Sequence, residues 1–387
     1  MRPWSPKTKR ILLRVILAVL AVAGGWAGWK YLLRPWLFPP SPLVMTPQVG
    51  LADLQAESLY YTSEAREWLQ KLRPDLLADD DRGPLGPRAN GYAQATQDTG
   101  LFEALYGKYR FDTLLLLGDI SLYPNLLNHL LELEPEKRKF HLVYVDHWMM
   151  VFKRGNVPEW TLADLDKVKA KMTSLHSEDR ARFLAKTGDR ILAIGHTDAA
   201  KKWFDEALAA NSSSTDALAG MAGYYCTLSQ WKEAEKYADQ ALEEAPDFLP
   251  ALQRKYTANV GSRHMIDAFK VSERLLRMFP NNPSTLLQHA FVAHHAHQAN
   301  AEIDALGRYV VLAAAQGRPV GQFEYAMGMA HATLAMGSKL SIEANVDRAA
   351  EHFSKALASG ELTADQREEA LHAVQKARED QAQRKKK

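Results

Sequence analysis

The chain has 387 residues, 48 of them basic and 46 acidic, with 47% apolar by the broad count, 24% charged and a single cysteine. At ~100–200 residues per domain this is enough for two or three folded units, and the fractions exclude wholesale disorder, collagen-like and low-complexity classes. The lone Cys226 excludes an intramolecular disulfide and a cysteine-based zinc site.

The formal net charge of +2 hides an asymmetry. Residues 1–36 contain Arg2, Lys7, Lys9, Arg10, Arg14, Lys30 and Arg34 and no acid, while the rest of the chain is mildly acidic. That distribution does not describe a nucleic-acid binder with a basic face. It points to a membrane. Residues 15–29 carry no charge, and extension to Ile11–Leu33 gives 23 residues, enough at ~1.5 Å per residue to cross a hydrocarbon core ~30 Å thick. Arg14 and Lys30 lie close enough to the ends to snorkel, and Trp26, Trp29, Tyr31 and Trp36 gather where an interfacial aromatic belt is expected. The basic segment 1–10 predicts a cytoplasmic N-terminus, with everything after the span carried across. A cleaved signal peptide is the competing reading, because Ala21-Val22-Ala23 is a small-x-small site after an apolar stretch. The apolar character that resumes at Tyr31–Leu33 favours an uncleaved anchor. Gly24 and Gly28 form a GxxxG pair, a pattern that points to self-association.

Pro35, Pro39, Pro40, Pro42 and Pro47 make residues 34–48 an extended linker. An amphipathic helix is expected around Leu51–Leu72, with Leu59, Trp68, Leu69 and Leu72 among its apolar members. Residues 79–99 read as loop. The run from Phe111 to Gly118 predicts a strand buried on both faces. A helix follows over 122–134, then two strands, Phe140–Val145 and Trp148–Phe152, joined by a turn at Asp146-His147. These elements make a small α/β domain over 49–155. The order Trp68, Arg73-Pro74, Asp81-Arg82, Tyr106-Gly107, Tyr109 and Phe111-Asp112, through Leu142–Asp146 to Val151–Arg154, resembles the soluble extracytoplasmic domain of some bacterial multi-spanning glycosyltransferase-like membrane proteins. In those proteins the domain often precedes helical repeats. This chain lacks their many spans, so the resemblance implies location and fold rather than transferase activity.

From about residue 181 the sequence repeats every 34 residues. Ala200, Ala234 and Ala268 recur at that step, as do Leu184, Leu218, Leu252 and Leu286, and Pro246 and Pro280. Gly188, Ala222 and Ala290 occupy a small-residue position where two helices would touch. This pattern resembles the tetratricopeptide repeat, which implies paired helices stacked so that neighbours share one core. Tyr256 breaks the small-residue pattern in the third copy, and Glu302 stands where alanine is expected in the fourth. The last unit, from Ala349 to Leu357, arrives 13 residues late, which predicts an insertion near Gly337–Val346. A polar capping helix is expected over 363–380. The expected architecture is thus mostly α: a single span, a small α/β domain, a helical solenoid over 160–380 and a basic tail over 381–387.

No GxSxG, HExxH, Walker A or dinucleotide-binding glycine pattern is present, so no catalytic residue, cofactor or metal site is assigned. His289, His294, His295 and His297 cluster in sequence, and His294 and His297 share a helix face, but no carboxylate lies among them. Asp119 reads as a helix-entry cap, Asp146 and His147 as turn residues, and Cys226 as an inert thiol. The sequence therefore predicts a membrane-anchored adaptor of the bacterial cell envelope, single-pass in the inner membrane, with its bulk periplasmic and a protein partner rather than nucleic acid. The alternative is an enzyme or accessory subunit of envelope glycosyl transfer; Asp81, Arg82, Asp119 and Asp146 in one pocket would favour it. In tetratricopeptide proteins the groove is lined chiefly by the first helix of each pair. That register implies Gln253, Thr257 and Val260 from the third repeat, with Leu287, Phe291, His294 and His295 from the fourth. Gly223, Cys226 and Thr257 stand where some members carry a carboxylate clamp, which implies an apolar or aromatic segment rather than an acidic C-terminal tail. Phe291 is the expected anchor.

Overall fold

A computed structural model describes residues 54–384 apart from 57, 63–64, 78–94, 97, 119, 121–122, 133–136, 171–174 and 338–340. The predicted span 11–33, the Gly24/Gly28 pair, the proline-rich linker, Asp81, Arg82 and Asp119 lie outside the described residues. Among the described residues no helix is long and apolar enough to cross a membrane. Contacts divide the chain into two units, one ending at Ala217 and one beginning at Leu218.

The first unit contains a four-stranded sheet of β1 (Leu59–Tyr61), β2 (Thr113–Leu117), β3 (Phe140–Val145) and β4 (Met149–Arg154) in the order β1-β2-β4-β3. β1 runs parallel to β2, and the other two pairings are antiparallel. All five residues of β2 are buried, as expected for a strand covered on both faces. Alternate side chains feed two layers. Leu115 and Leu117 pack with Leu59, Tyr61, Met149 and Val151 against Ala65 and Leu69 of α1 (Ala65–Leu72). Tyr60 points into an aromatic layer, edge-on to Phe111 and to Phe102 of α2 (Thr99–Tyr109), each with ring centroids 5.4 Å apart. A shorter helix than predicted, α3 (Pro124–Leu131), precedes the β3–β4 hairpin.

The single helix expected around Leu51–Leu72 is instead a strand followed by a helix, and Leu59 belongs to β1. The reason is pairing. Leu59-Tyr60-Tyr61 is buried throughout, and such an aromatic-rich triplet suits a strand covered on both sides. The Thr62 hydroxyl prolongs the ladder, donating to Leu117 O and accepting from Leu117 N at 3.1 Å each.

The hairpin turn falls at Asp146 and His147 as predicted, yet both residues are buried. Asp146 Oδ1 accepts from the backbone N–H groups of Trp148 and Met149 at 2.7 and 2.9 Å, and the Tyr144 hydroxyl donates to Oδ2. The turn is covered because α5 (Ser177–Ala193) lies against it: the His147 ring stacks on Phe183 with centroids 4.1 Å apart. Arg190, buried on the same helix, donates to the carbonyls of Gly118 and Lys186. α4 (Asp164–Ala170) joins this unit through Lys169, which pairs with Glu206 at 2.6 Å and lies over the Trp203 ring of α6 (Thr197–Ala210). α5 and α6 form the first helix pair. A Cβ added at Gly188 would meet the Phe204 ring at 2.7 Å.

Helices α7 (Thr215–Thr227), α8 (Trp231–Glu244), α9 (Leu249–Gly261), α10 (Met265–Met278), α11 (Pro283–His295) and α12 (Ala299–Ala315) keep the 34-residue step in their starts. The backbone keeps it too. Gly195, Ser229, Arg263 and His297, each in the turn between the helices of a pair, all have positive φ. Only the first is a glycine, so the other three carry left-handed strain of the order of 1 kcal/mol each. Between copies, Arg274 donates to the carbonyl of Pro246 and Arg308 to that of Pro280, one step apart.

Tyr256 is accommodated by trading volume. The register pairs Gly188 with Phe204, Ala222 with Ala238, Tyr256 with Ser272, Ala290 with Leu306 and, in the last copy, Gly328 with Phe353. Apart from Ala222 and Ala238, which are both small, a large residue on one helix is matched by a small one on the other. The late arrival of the fifth pair, α13 (Gly321–Gly337) and α14 (Ile342–Ser359), is not one insertion near 337–346. α12 has 17 residues where α8 and α10 have 14, α13 has 17 where α9 and α11 have 13, and α14 has 18. Longer helices take up most of the extra chain and bury Ala313 and Ala335, which an irregular loop would leave in water. The predicted cap is α15 (Ala364–Arg384), whose Ala370 and Val374 pack with Phe353 and cover Tyr325 and Met329.

Candidate protein-interaction surface

The first helices of successive pairs stand side by side in the second unit. The Tyr256 hydroxyl, held as a neutral donor by burial that pushes its pKa up to about 12, reaches from α9 to Gln288 O on α11 at 3.1 Å. The Cys226 thiol of α7 lies 3.7 Å from Arg254 O on α9, and burial pushes that thiol up, consistent with an inert residue.

On α9, Gln253 and Val260 are half-buried, while Thr257 is exposed with its hydroxyl donating back to Gln253 O. On α11, Leu286, Ala290, Val292 and Ala293 are buried and fix the helix in the core, and Leu287 packs partly against the same cluster. Phe291 is 46% exposed. Its ring lies edge-on to His295 at 4.6 Å, and His295 lies edge-on to His294 at 5.2 Å. Three of the seven residues predicted for the groove therefore form one contiguous exposed aromatic cluster; Gln253, Thr257 and Val260 occupy the adjacent helix.

No carboxylate lies among these histidines in sequence, yet the fold brings one to them. Buried Glu302 of α12 accepts from His294 Nδ1 at 3.1 Å. Burial pushes the Glu302 carboxyl up and the His294 contact pulls it down. The turn between α11 and α12 folds eight residues of sequence into one hydrogen bond, which helical spacing alone does not reveal. The four histidines do not converge. His289 is buried against Ser272 and stacked on Phe269, and His297 sits in the left-handed turn. Among the described residues no three histidine, cysteine or acidic side chains are grouped to hold a metal ion.

His289 and a second buried histidine, His331, give the unit a pH signature. Burial holds both imidazoles below the ordinary value. His331 donates to Asn345 Oδ1 at 3.1 Å and stacks on His352, which is bonded in turn to buried Glu324. Arg348 and Glu351 also bear on His331, as Glu273, Asp304 and Arg308 do on His289. With depressed pKa values in the folded state, the unfolded chain binds more protons, so this contribution is full above about pH 6.5 and is lost below it. We expect the urea midpoint to fall between pH 7.5 and 5.5, and the double variant His289→Asn/His331→Asn to flatten that slope.

No family model matches the chain, and no curated protein matches it. Among solved structures it is similar to YrrB, described as a TPR protein with an unusual peptide-binding site, at 17% identity over 54% of this chain and 97% of that one, with a TM-score of 0.42. It is similar to MamA from Desulfovibrio magneticus RS-1 at 18% identity over 47% and 96%, TM-score 0.37. A thermophilic TPR protein of Thermus thermophilus, TTC0263, matches at 20% identity over 50% and 98%, TM-score 0.30. At such identities and scores the repeat architecture rests on the helix boundaries and their 34-residue step. The chain has a TPR-like helical-repeat region and a small sheet. The resemblance of residues 68–154 to a glycosyltransferase-associated domain is not confirmed by these matches.

Proposed function

We propose that this chain is a membrane-anchored adaptor that holds a partner protein on the surface formed by the first helices of its repeats. The observation that supports this reading is the exposed Phe291–His295–His294 cluster on a helix whose opposite face is locked in the core. An aromatic side chain at the centre of such a surface contributes on the order of 2 kcal/mol when a partner buries it. The apolar Ile11–Leu33 segment behind four basic residues, Arg2, Lys7, Lys9 and Arg10, supports anchoring in a bacterial inner membrane with the repeats outside the cytoplasm. The glycosyl-transfer alternative draws no support from Asp146, whose carboxylate is taken up by the hairpin turn and Tyr144.

The test uses the full chain in membranes washed with carbonate, cross-linked and then solubilised in detergent. We expect the protein to stay in the membrane pellet and to carry a discrete cross-linked partner. Phe291→Ala should lose that partner with a melting temperature close to that of the parent. A melting temperature lowered by many degrees would show that Phe291 is a core residue and would remove it from the surface; loss of the chain to the carbonate supernatant would remove the anchor.

A further inference from the structure

The partner's chemistry is written in how charge is divided between the two kinds of helix. The first helices α7, α9, α11 and α13 are almost free of acid: they contain two carboxylates, Asp216, which pairs with Arg182, and Glu324, which is buried and bonded to His352. The second helices carry the acids, among them Glu233, Glu235, Asp239, Asp267, Glu273, Asp304, Asp347 and Glu351. Opposite charges on the first helices are not neutralised equally. Lys255 pairs with Asp239. Arg254, its neighbour, has no carboxylate partner among the described residues. Its guanidinium lies against the backbone of α7, so close that a Cβ at Gly223 would fall 2.9 Å from Nε. Gly223 makes the room that lets a half-buried cation rest between α7 and α9.

Resting on the adaptor reading, we propose that the partner segment is an internal acidic–aromatic stretch, with a carboxylate side chain on Arg254 and an aromatic ring on the Phe291–His295–His294 cluster. Arg254 stands level with Gln288 in the 34-residue register, three residues before Phe291 on the adjacent helix. With helix axes ~8–10 Å apart and ~1.5 Å rise per residue, the two subsites lie roughly 10 Å apart. An extended peptide advances ~3.3 Å per residue, so the acid and the ring are about three residues apart. Sequence register alone does not mark Arg254, because it flanks Gln253 and its contact with Gly223 joins helices that are not consecutive in the chain.

The test is selection of a random dodecapeptide library displayed on phage, with the peptide C terminus fused so that no terminal carboxylate is free, against the detergent-solubilised full chain. The expected outcome is enrichment of an aromatic residue with Asp or Glu about three positions away. Selection on Arg254→Gln should keep the aromatic preference and lose the acidic one, and the enriched peptide should bind that variant on the order of tenfold more weakly, with a smaller salt dependence. Gly223→Ala keeps the charge but displaces the guanidinium; it should raise the melting temperature, as a helical Gly→Ala change does, and still weaken the acidic preference. Aromatic enrichment without acid, or an acidic preference that survives Arg254→Gln, overturns this proposal and leaves the adaptor surface standing. Enrichment of neither, or selection unchanged by Phe291→Ala, overturns both.

Discussion

Phe204→Ala is expected to destabilise the first unit by about 3–5 kcal/mol, read as a lowered midpoint in urea unfolding followed by circular dichroism. Phe204 is fully buried, and its ring occupies the space that the missing side chain of Gly188 leaves on α5. Removing the ring opens a cavity that two packed helices cannot collapse around. The reverse change carries the same information with opposite volume. Gly188→Ala gains ~1 kcal/mol of helix propensity, but its Cβ meets the ring at 2.7 Å, and overpacking costs about 1–3 kcal/mol. The net effect is destabilisation or neutrality rather than the usual gain. A loss below about 1 kcal/mol for Phe204→Ala would show that this contact does not hold the pair together.

Arg190→Ala should cost the same unit about 2–3 kcal/mol. Arg190 is buried, and it gives donors to Gly118 O at the end of β2 and to Lys186 O. Alanine leaves the Gly118 carbonyl with the Tyr123 hydroxyl at 3.4 Å and opens the space beside the hairpin turn. Arg190→Lys should not restore stability, because one ammonium on a flexible stem does not replace two directed donors of a planar guanidinium. Recovery by lysine would assign the effect to charge rather than geometry.

The repeat region was legible because close helix contacts impose size on residues one step apart. Gly188, Ala222 and Ala290 announced a small-residue position, and Pro246 and Pro280 announced the ends of second helices. The register implied by the tetratricopeptide resemblance put Phe291 on a first helix, where the structure leaves it exposed. The left-handed turn was hidden, since Ser229, Arg263 and His297 stand where only Gly195 advertises its backbone. β1 was hidden for a different reason. Three residues carry no periodicity, and the leucines that flank them imitate a helical stripe. The His294–Glu302 bond and the Arg254 subsite were also beyond reach, because each joins residues of different helices. Contacts set by tertiary packing leave no mark on spacing within one helix.

Contacts in the second unit run chiefly between consecutive helices, from α8 through to α15. Bonds that skip a helix, such as Tyr256 to Gln288 and Gln322 to Gln366, reach only the next but one. Among the described residues no extensive helix packing closes the unit end to end in the way a barrel closes, so its length is not fixed by geometry. One further copy spliced in after Pro280 would meet the same kind of neighbour on either side. It would also move the cation of Arg254 one step away from the rings of α11, and so change what the surface reads without disturbing how the chain folds. In such an array the spacing between recognition elements is a quantity counted in whole repeats.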